Sequence, residues 1–131
     1  MIIIVDDDEQ IYEALSYWLK LINIRSTHYF SGEQLFQSLS KNIKGELIIN
    51  DPKNLSSSIA ISGVILDLNL IGMNGLEISR KLRKIHNNIP IVIITAIPPK
   101  EVECKEDIPY DIKILGKPFD LDELESLLFS D

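Results

Sequence analysis

Five polar residues of the 131-residue sequence stand where short apolar runs end, and their types suit one chemistry. They are the carboxylates Asp6, Asp7 and Asp67, the hydroxyl of Thr95 and the ammonium of Lys117. Clustered carboxylates repel one another unless they are protonated or bind a cation, and an all-oxygen set without His or Cys favours Mg²⁺ over Zn²⁺. A lysine and a hydroxyl suit phosphoryl oxygens, and a carboxylate can attack phosphorus. The set predicts phosphoryl chemistry with Asp67 as the candidate nucleophile.

These residues could act together only if the elements before them lie side by side. Runs rich in branched apolar or aromatic residues predict five strands, at 2–5, 24–30, 64–66, 91–94 and 112–115. Apolar stripes predict five helices, the second over 33–39, the third capped by Asn74 and the last capped by Asp120. We expect an irregular or short fourth helix, because Pro98, Pro99 and Pro109 bracket it and proline is disruptive inside a helix.

The alternation of strands and helices predicts an α/β fold of the flavodoxin-like, doubly wound kind, with a five-stranded parallel sheet in the order 2-1-3-4-5 and helices on both faces. All carboxyl ends of parallel strands lie along one edge of such a sheet, where these folds bind ligands. The first, third and fourth strands are neighbours in this order. The fold would therefore bring the five polar residues together.

Composition excludes several other classes of function. The net charge of −7 argues against direct nucleic-acid binding, because no basic face is available to neutralise phosphates. No apolar run approaches the roughly 20 residues that a membrane span needs. Cys104 is the single cysteine and cannot form an internal disulfide, which is typical of a reducing compartment. We therefore expect a cytoplasmic protein with no membrane partner.

Five short motifs in order resemble those of response-regulator receiver domains, across essentially the whole chain, 1–131, as a single domain. They are VDD at 5–7, LDL at 66–68, GMNG at 72–75, ITA at 94–96 and KPF at 117–119. The resemblance implies that Asp67 is the phosphoacceptor, and that Thr95 and Lys117 contact the phosphoryl group. It also implies a Mg²⁺ site: Asp7 would be a direct ligand, Asp6 a ligand through water, and Asp67 and the main-chain carbonyl of Asn69 further ligands.

The function implied by the resemblance is signalling in a two-component or phosphorelay system. A sensor histidine kinase or a histidine phosphotransfer protein would supply the phosphoryl group from a phosphohistidine, and slow hydrolysis would remove it. Phosphorylation would shift a two-state equilibrium in a partner-binding surface that a downstream effector domain or protein recognises. The chain would catalyse its own phosphorylation and dephosphorylation, but its output would be a signal and not a product.

The sequence departs from the family pattern at several places. Ile114 occupies the position, three residues before Lys117, where receivers usually carry an aromatic switch residue, and Ile71 replaces a common loop proline. The segment 41–63 is an insertion before the central strand, in which 47–49 and 59–61 could each form a short extended piece. Most insertions of this kind are surface loops.

Other interpretations remain open from the sequence alone. Asp6, Asp7 and Asp8 could be only an acidic cap on the first helix. Asp67 and Thr95 could be ordinary residues at strand ends, and Lys117 could be a solvent-exposed lysine before a turn proline. A phosphatase resembling the haloacid dehalogenases would need an acid two residues after the nucleophile, where Asn69 cannot titrate. A pseudo-receiver that binds partners without phosphorylation is the main alternative function.

Overall fold

The computed structural model describes residues 1–51, 54–70, 72–85, 88–105, 108–109 and 111–129. Its strands form two sheets, one of five strands and one of three. The large sheet contains β1 (Ile2–Val5), β2 (Ser26–Tyr29), β6 (Gly63–Asp67), β7 (Ile91–Thr95) and β8 (Lys113–Gly116). Its order is β2-β1-β6-β7-β8, with every pair parallel. Counted within this sheet, the order is 2-1-3-4-5, which confirms the predicted topology.

Helices cover both faces of the large sheet. They are α1 (Glu9–Leu21), α2 (Gly32–Ser38), α3 (Gly75–Ile85), α4 (Pro99–Lys105) and α5 (Leu121–Phe129). One face of the sheet packs against α1 and α5, and the other packs against α2, α3 and α4. The three central strands are buried on both faces, which explains their unbroken apolar runs.

Side chains at the helix starts fix where the helices begin, as predicted for two of them. Asn74 accepts a hydrogen bond from the Glu77 amide at 2.9 Å, and Asp120 accepts one from the Asp122 amide at 2.9 Å. Such caps satisfy amides that have no partner within the helix. The fourth helix is short, as the prolines predict, with seven residues starting at Pro99.

The insertion forms a small antiparallel sheet. It contains β3 (Leu39–Lys41), β4 (Leu47–Asp51) and β5 (Asn54–Ala60), in the order β3-β4-β5. The extended pieces predicted near 47–49 and 59–61 thus lie in or next to real strands. Leu47 and Ile49 are 2% and 0% exposed and belong to the same core cluster as α2 and α3. The insertion is therefore part of the core and not a surface loop.

The boundary between the second helix and the insertion differs from the prediction. Leu39 was expected inside the helix, but α2 ends at Ser38 and Leu39 has an extended backbone, with φ −81° and ψ 142°. The reason is strand pairing, because Leu39 lies opposite Ile49 in the small sheet. A tertiary contact of this kind overrides the local helix preference of leucine.

Candidate functional site

The carboxyl ends of β1, β6 and β7 position the predicted site residues. Asp6 and Asp7 follow β1, Asp67 ends β6, and Thr95 ends β7. One carboxylate oxygen from each of Asp6, Asp7 and Asp67 lies within 4.8 Å of the others. Lys117, in the loop after β8, places its Nζ 3.9 Å from Oδ1 of Asp67. The structure thus brings together the three carboxylates and the lysine that the sequence singled out.

Asp6 is the most deeply buried carboxylate of the cluster, at 2% exposure, whereas Asp7 is exposed. Burial raises the pKa of Asp6 to about 6, because the charged form loses its hydration, and the nearby Asp67 adds to the increase. The Asp8 amide donates to Asp6 Oδ1 at 2.8 Å and opposes part of this effect. The ionised form of Asp6 is therefore unfavourable in this cluster, and a bound cation would stabilise it.

Asp8 has a different structural role from Asp6 and Asp7. Its Oδ1 accepts a hydrogen bond from the Gln10 amide at 3.0 Å, so it is the N-cap of α1. The interpretation of the acidic run as a helix cap is therefore correct for Asp8. It does not account for Asp6 and Asp7, whose oxygens lie with that of Asp67.

Asp67 is 8% exposed, and its side chain is held by the loop that follows it. The Asn69 amide donates to Asp67 Oδ1 at 3.2 Å, the same oxygen that faces the Lys117 ammonium. The backbone amide of Lys117 donates to the Thr95 carbonyl at 2.7 Å, which ties the lysine loop to the end of β7. The Lys117–Pro118 peptide bond is cis.

Thr95 is completely buried, and its Oγ1 accepts a hydrogen bond from the Ile97 amide at 2.9 Å. A hydroxyl that accepts in this way still has its own proton to donate. Ile114, at the usual aromatic position, is partly buried beside the core cluster and lies opposite Ile93 of β7. The expectation about Ile71 falls outside the described residues.

Two residues of the site were missed from the sequence. Gly75 starts α3 so close to β6 that a Cβ there would lie 2.6 Å from the Asp67 carbonyl oxygen. His28, which had no assigned role, has its ring between Tyr12 and Phe30, and its Nε2 contacts the Asp6 carbonyl. The GMNG motif could have indicated Gly75, since glycine allows close backbone approach. No local pattern could have indicated the position of His28.

A family model described as the response regulator receiver domain matches residues 2–129 of this chain. The chain belongs to the response-regulator receiver family. The receiver protein CpdR of Brucella abortus is 24% identical over an alignment 133 positions long, and the alignment covers 98% of this chain and 97% of CpdR. The response regulator TmoT of Ectopseudomonas mendocina is 31% identical over 124 residues, which cover 95% of this chain and 49% of TmoT. The transport regulator DctD of Rhizobium meliloti is longer still, and the matched region is 23% of it.

Solved structures share the receiver fold. A response regulator receiver protein from Sinorhizobium medicae superposes with a TM-score of 0.73 at 24% identity, over 97% of this chain and 89% of that one. The receiver domain of a Pseudomonas aeruginosa sensor histidine kinase, solved with a magnesium ion coordinated in its active-site cleft, gives a TM-score of 0.64 at 19% identity, over 95% and 89%. In the described part of this receiver domain, no helix is long and apolar enough to cross a membrane.

Proposed function

We propose that this receiver domain accepts a phosphoryl group on Asp67 with the help of Mg²⁺. The donor is a phosphohistidine of a sensor histidine kinase or of a histidine phosphotransfer protein. The observation that supports this most strongly is the meeting of three carboxylates within 4.8 Å, with the Lys117 ammonium 3.9 Å from Asp67. A structural ion pair would account for Lys117 and Asp67, but not for two further acids at the same point.

The donor atoms at the carboxyl edge fit Mg²⁺. Carboxylate oxygens come from Asp6, Asp7 and Asp67, and the main-chain carbonyl of Asn69 is the fourth group that we assign to the site. Hard oxygen ligands are what this ion prefers, and the burial of Asp6 makes an uncompensated charge there unfavourable. When bound, Mg²⁺ would neutralise these acids and reduce the negative charge that repels a phosphoryl group from Asp67.

Three residues of this chain would each have a separate role in the phosphoryl transfer. An Asp67 carboxylate oxygen attacks phosphorus, the P–N bond to the donor imidazole breaks, and its electron pair stays on the imidazole nitrogen, which takes up a proton. The Lys117 ammonium stabilises the charge that gathers on the phosphoryl oxygens, and the Thr95 hydroxyl donates to one of them. Water reverses the modification by attacking the acyl phosphate and releasing inorganic phosphate.

The output of the domain would be a signal. We assign it no product beyond its own phosphorylation and dephosphorylation, and expect the phosphorylated form to present a changed surface to a downstream effector domain or protein. Direct nucleic-acid binding by residues 1–131 is not expected, given the net charge of −7. A cytoplasmic location stays a prediction from the sequence.

Intact-mass spectrometry after incubation with acetyl phosphate tests the proposal. We expect the gain of one phosphoryl group, dependent on Mg²⁺ and abolished by EDTA and by Asp67→Asn. Glu46→Gln is the matched control, since it makes the same carboxylate-to-amide change in the turn before β4, and it should be labelled normally. If the native chain gains no mass where a relative such as CpdR is labelled, the domain is a pseudo-receiver and the proposal is wrong.

A further inference from the structure

The imidazole of His28 lies between two aromatic rings, close to the carboxylate cluster. His28 belongs to β2, which pairs with β1. The Tyr12 ring of α1 stacks on the imidazole at 3.8 Å between ring centroids, and the Phe30 ring meets it edge-on at 4.5 Å. Aromatic rings prefer both arrangements, so the two neighbours hold the imidazole in one orientation. In that orientation Nε2 lies at the Asp6 carbonyl, and it donates, because a carbonyl oxygen can only accept.

This contact lies where the pairing of β1 with β2 ends. In the part of the chain that the structure describes, the register of the two strands stops at Val5 and Tyr29. The Asp6 amide still donates to the Tyr29 carbonyl at 3.2 Å. The chain then turns into α2, of which Ser31 is the N-cap. The side chain of His28 thus supplies a donor to the Asp6 carbonyl at the point where the main chain of β2 leaves the sheet.

The Asp6 carbonyl belongs to the peptide group that joins Asp6 to Asp7. A peptide group is planar, so a hydrogen bond to its oxygen fixes the orientation of the whole group. The carboxylate of Asp6 is buried and is also held by the Asp8 amide, which donates to Oδ1 at 2.8 Å. Asp7 is exposed, so the position of its carboxylate depends mainly on its main chain. The hydrogen bond from His28 therefore acts on the link between two acids whose oxygens lie with that of Asp67.

We propose that His28 is a positioning residue for the Mg²⁺ site, which holds the carboxylates of Asp6 and Asp7 in place by donating from Nε2 to the Asp6 carbonyl. This role presupposes the proposed function, because it concerns the ion that would assist phosphorylation of Asp67. Mg²⁺ needs near-ideal octahedral geometry, whereas Ca²⁺ accepts a more flexible arrangement of oxygen ligands. A fixed peptide group between the two acids therefore favours Mg²⁺ over Ca²⁺.

Two substitutions separate the donor from the ring. His28→Phe keeps an aromatic ring against Tyr12 but has no donor, whereas His28→Gln loses the ring and keeps an amide nitrogen near the place of Nε2. Amide shifts of the ¹⁵N-labelled full chain, titrated with Mg²⁺ or with Ca²⁺, give the two affinities. We expect His28→Phe to weaken Mg²⁺ binding about 10- to 100-fold and Ca²⁺ binding by less than about threefold. His28→Gln should restore most of the Mg²⁺ affinity.

Ser26→Ala is the matched control. Ser26 lies on the same strand, and its hydroxyl, 3.4 Å from that of Ser16, makes a side-chain contact with α1. Its removal should leave both metal affinities unchanged, and urea unfolding should confirm that all three variants are folded at the temperature of the titrations. In the metal-free chain, ¹⁵N relaxation should show a more mobile Asp7 amide in His28→Phe than in Ser26→Ala, because the peptide group that contains this amide has lost its hydrogen bond.

The outcomes distinguish this role from the proposed function. If the native chain binds Mg²⁺ and His28→Phe binds it equally, or loses affinity for Mg²⁺ and Ca²⁺ by the same factor, His28 does not position the acids and the proposed function still stands. Failure of a folded His28→Gln to restore Mg²⁺ affinity would assign the effect to the ring and overturn the role of the donor. If the native chain binds no Mg²⁺ at millimolar concentration, the proposed function fails, and the role of His28 fails with it.

Discussion

The close approach of α3 to the end of β6 makes Gly75→Ala a test of how the site is built. A Cβ at this position would lie 2.6 Å from the Asp67 carbonyl oxygen and 3.1 Å from the Leu68 Cα. Ordinary contact begins at 3.4 Å, so the start of α3 must withdraw by about 0.8 Å. Both obstacles are backbone atoms, and neither can turn aside as a side-chain end could. The strain therefore acts directly on the segment that carries Asp67.

The expected cost follows from three effects. Overpacking of this kind costs about 1–3 kcal/mol. The hydrogen bond from the Gly75 amide to the Leu68 carbonyl is 3.1 Å long in the native chain, and weakening it costs up to about 1 kcal/mol. The greater helix preference of alanine returns about 0.5–1 kcal/mol. These ranges sum to a loss of about 0–3.5 kcal/mol in the free energy of unfolding, with a midpoint of about 2 kcal/mol. The melting temperature should fall by about 3–5 °C for each kcal/mol.

Gly32→Ala is the matched control, because Gly32 is also the first residue of its helix and is also crowded. Its Cβ would meet side-chain atoms, the nearest being Ile78 Cγ1 at 2.8 Å, and not the backbone of β6. Both variants should be less stable, as urea unfolding can measure. At 20 °C, where both remain folded, only Gly75→Ala should be labelled by acetyl phosphate more slowly, by about tenfold or more, because it displaces Asp67. Normal stability and labelling of Gly75→Ala would refute this reasoning.

Three other predictions concern the charge cluster and the small sheet. The pKa of Asp6 is about 6 in the folded chain and 3.8 in its ordinary state, so the folded chain binds a proton at Asp6 more tightly than the unfolded chain does. Without divalent cations, protonated Asp6 should therefore add up to about 3 kcal/mol to the free energy of unfolding below pH 4, and this contribution should be lost as the pH rises through 6. Urea unfolding at several pH values should show this component in the native chain and not in Asp6→Asn; identical pH dependence in both would contradict it. Lys117→Met should slow labelling by acetyl phosphate about tenfold or more without unfolding the protein, since it removes a charge from the transition state. Ile49→Ala should cost about 2–5 kcal/mol in urea unfolding, whereas Ile43→Ala, at a fully exposed position, should change stability by less than about 0.5 kcal/mol; equal losses would show that the small sheet is not part of the core.

The large sheet could be predicted because its strands carry their own signal. Strands buried on both faces are expected to be apolar along most of their length, and β1, β6 and β7 are apolar up to the polar residue at their carboxyl ends. Each ends at a polar residue, so the topology alone was enough to place Asp6, Asp67 and Thr95 at one edge. The fold and the meeting of the three carboxylates are accordingly close to what the sequence indicates.

The small sheet could not be predicted in the same way. Strand β5 reads Asn-Leu-Ser-Ser-Ser-Ile-Ala, whose polar centre is typical of a loop, so its composition does not indicate that it pairs with the preceding strand β4. Leu39 shows the same difficulty, since a leucine after a helical run gives no sign that it pairs with Ile49. The pairing of consecutive strands with one another decides these elements, and the preferences of single residues do not.

Two features of the site could not be predicted from the sequence for a different reason. Whether Gly75 is required depends on the distance between α3 and β6, which is set by packing and not by the residue type. The contact of His28 with the Asp6 carbonyl depends on the register of β2 against β1, where His28 lies opposite Ile4. Both are consequences of tertiary geometry.

The most direct test of the central claim is to locate the phosphoryl group on the chain. After labelling with acetyl phosphate and Mg²⁺, borohydride reduces an acyl phosphate of aspartate to homoserine, and peptide mass spectrometry then identifies the converted residue. We expect conversion at Asp67, the last residue of β6, and at no other aspartate. Conversion at Asp6 or Asp7, or a labelled chain with Asp67 unmodified, would contradict it.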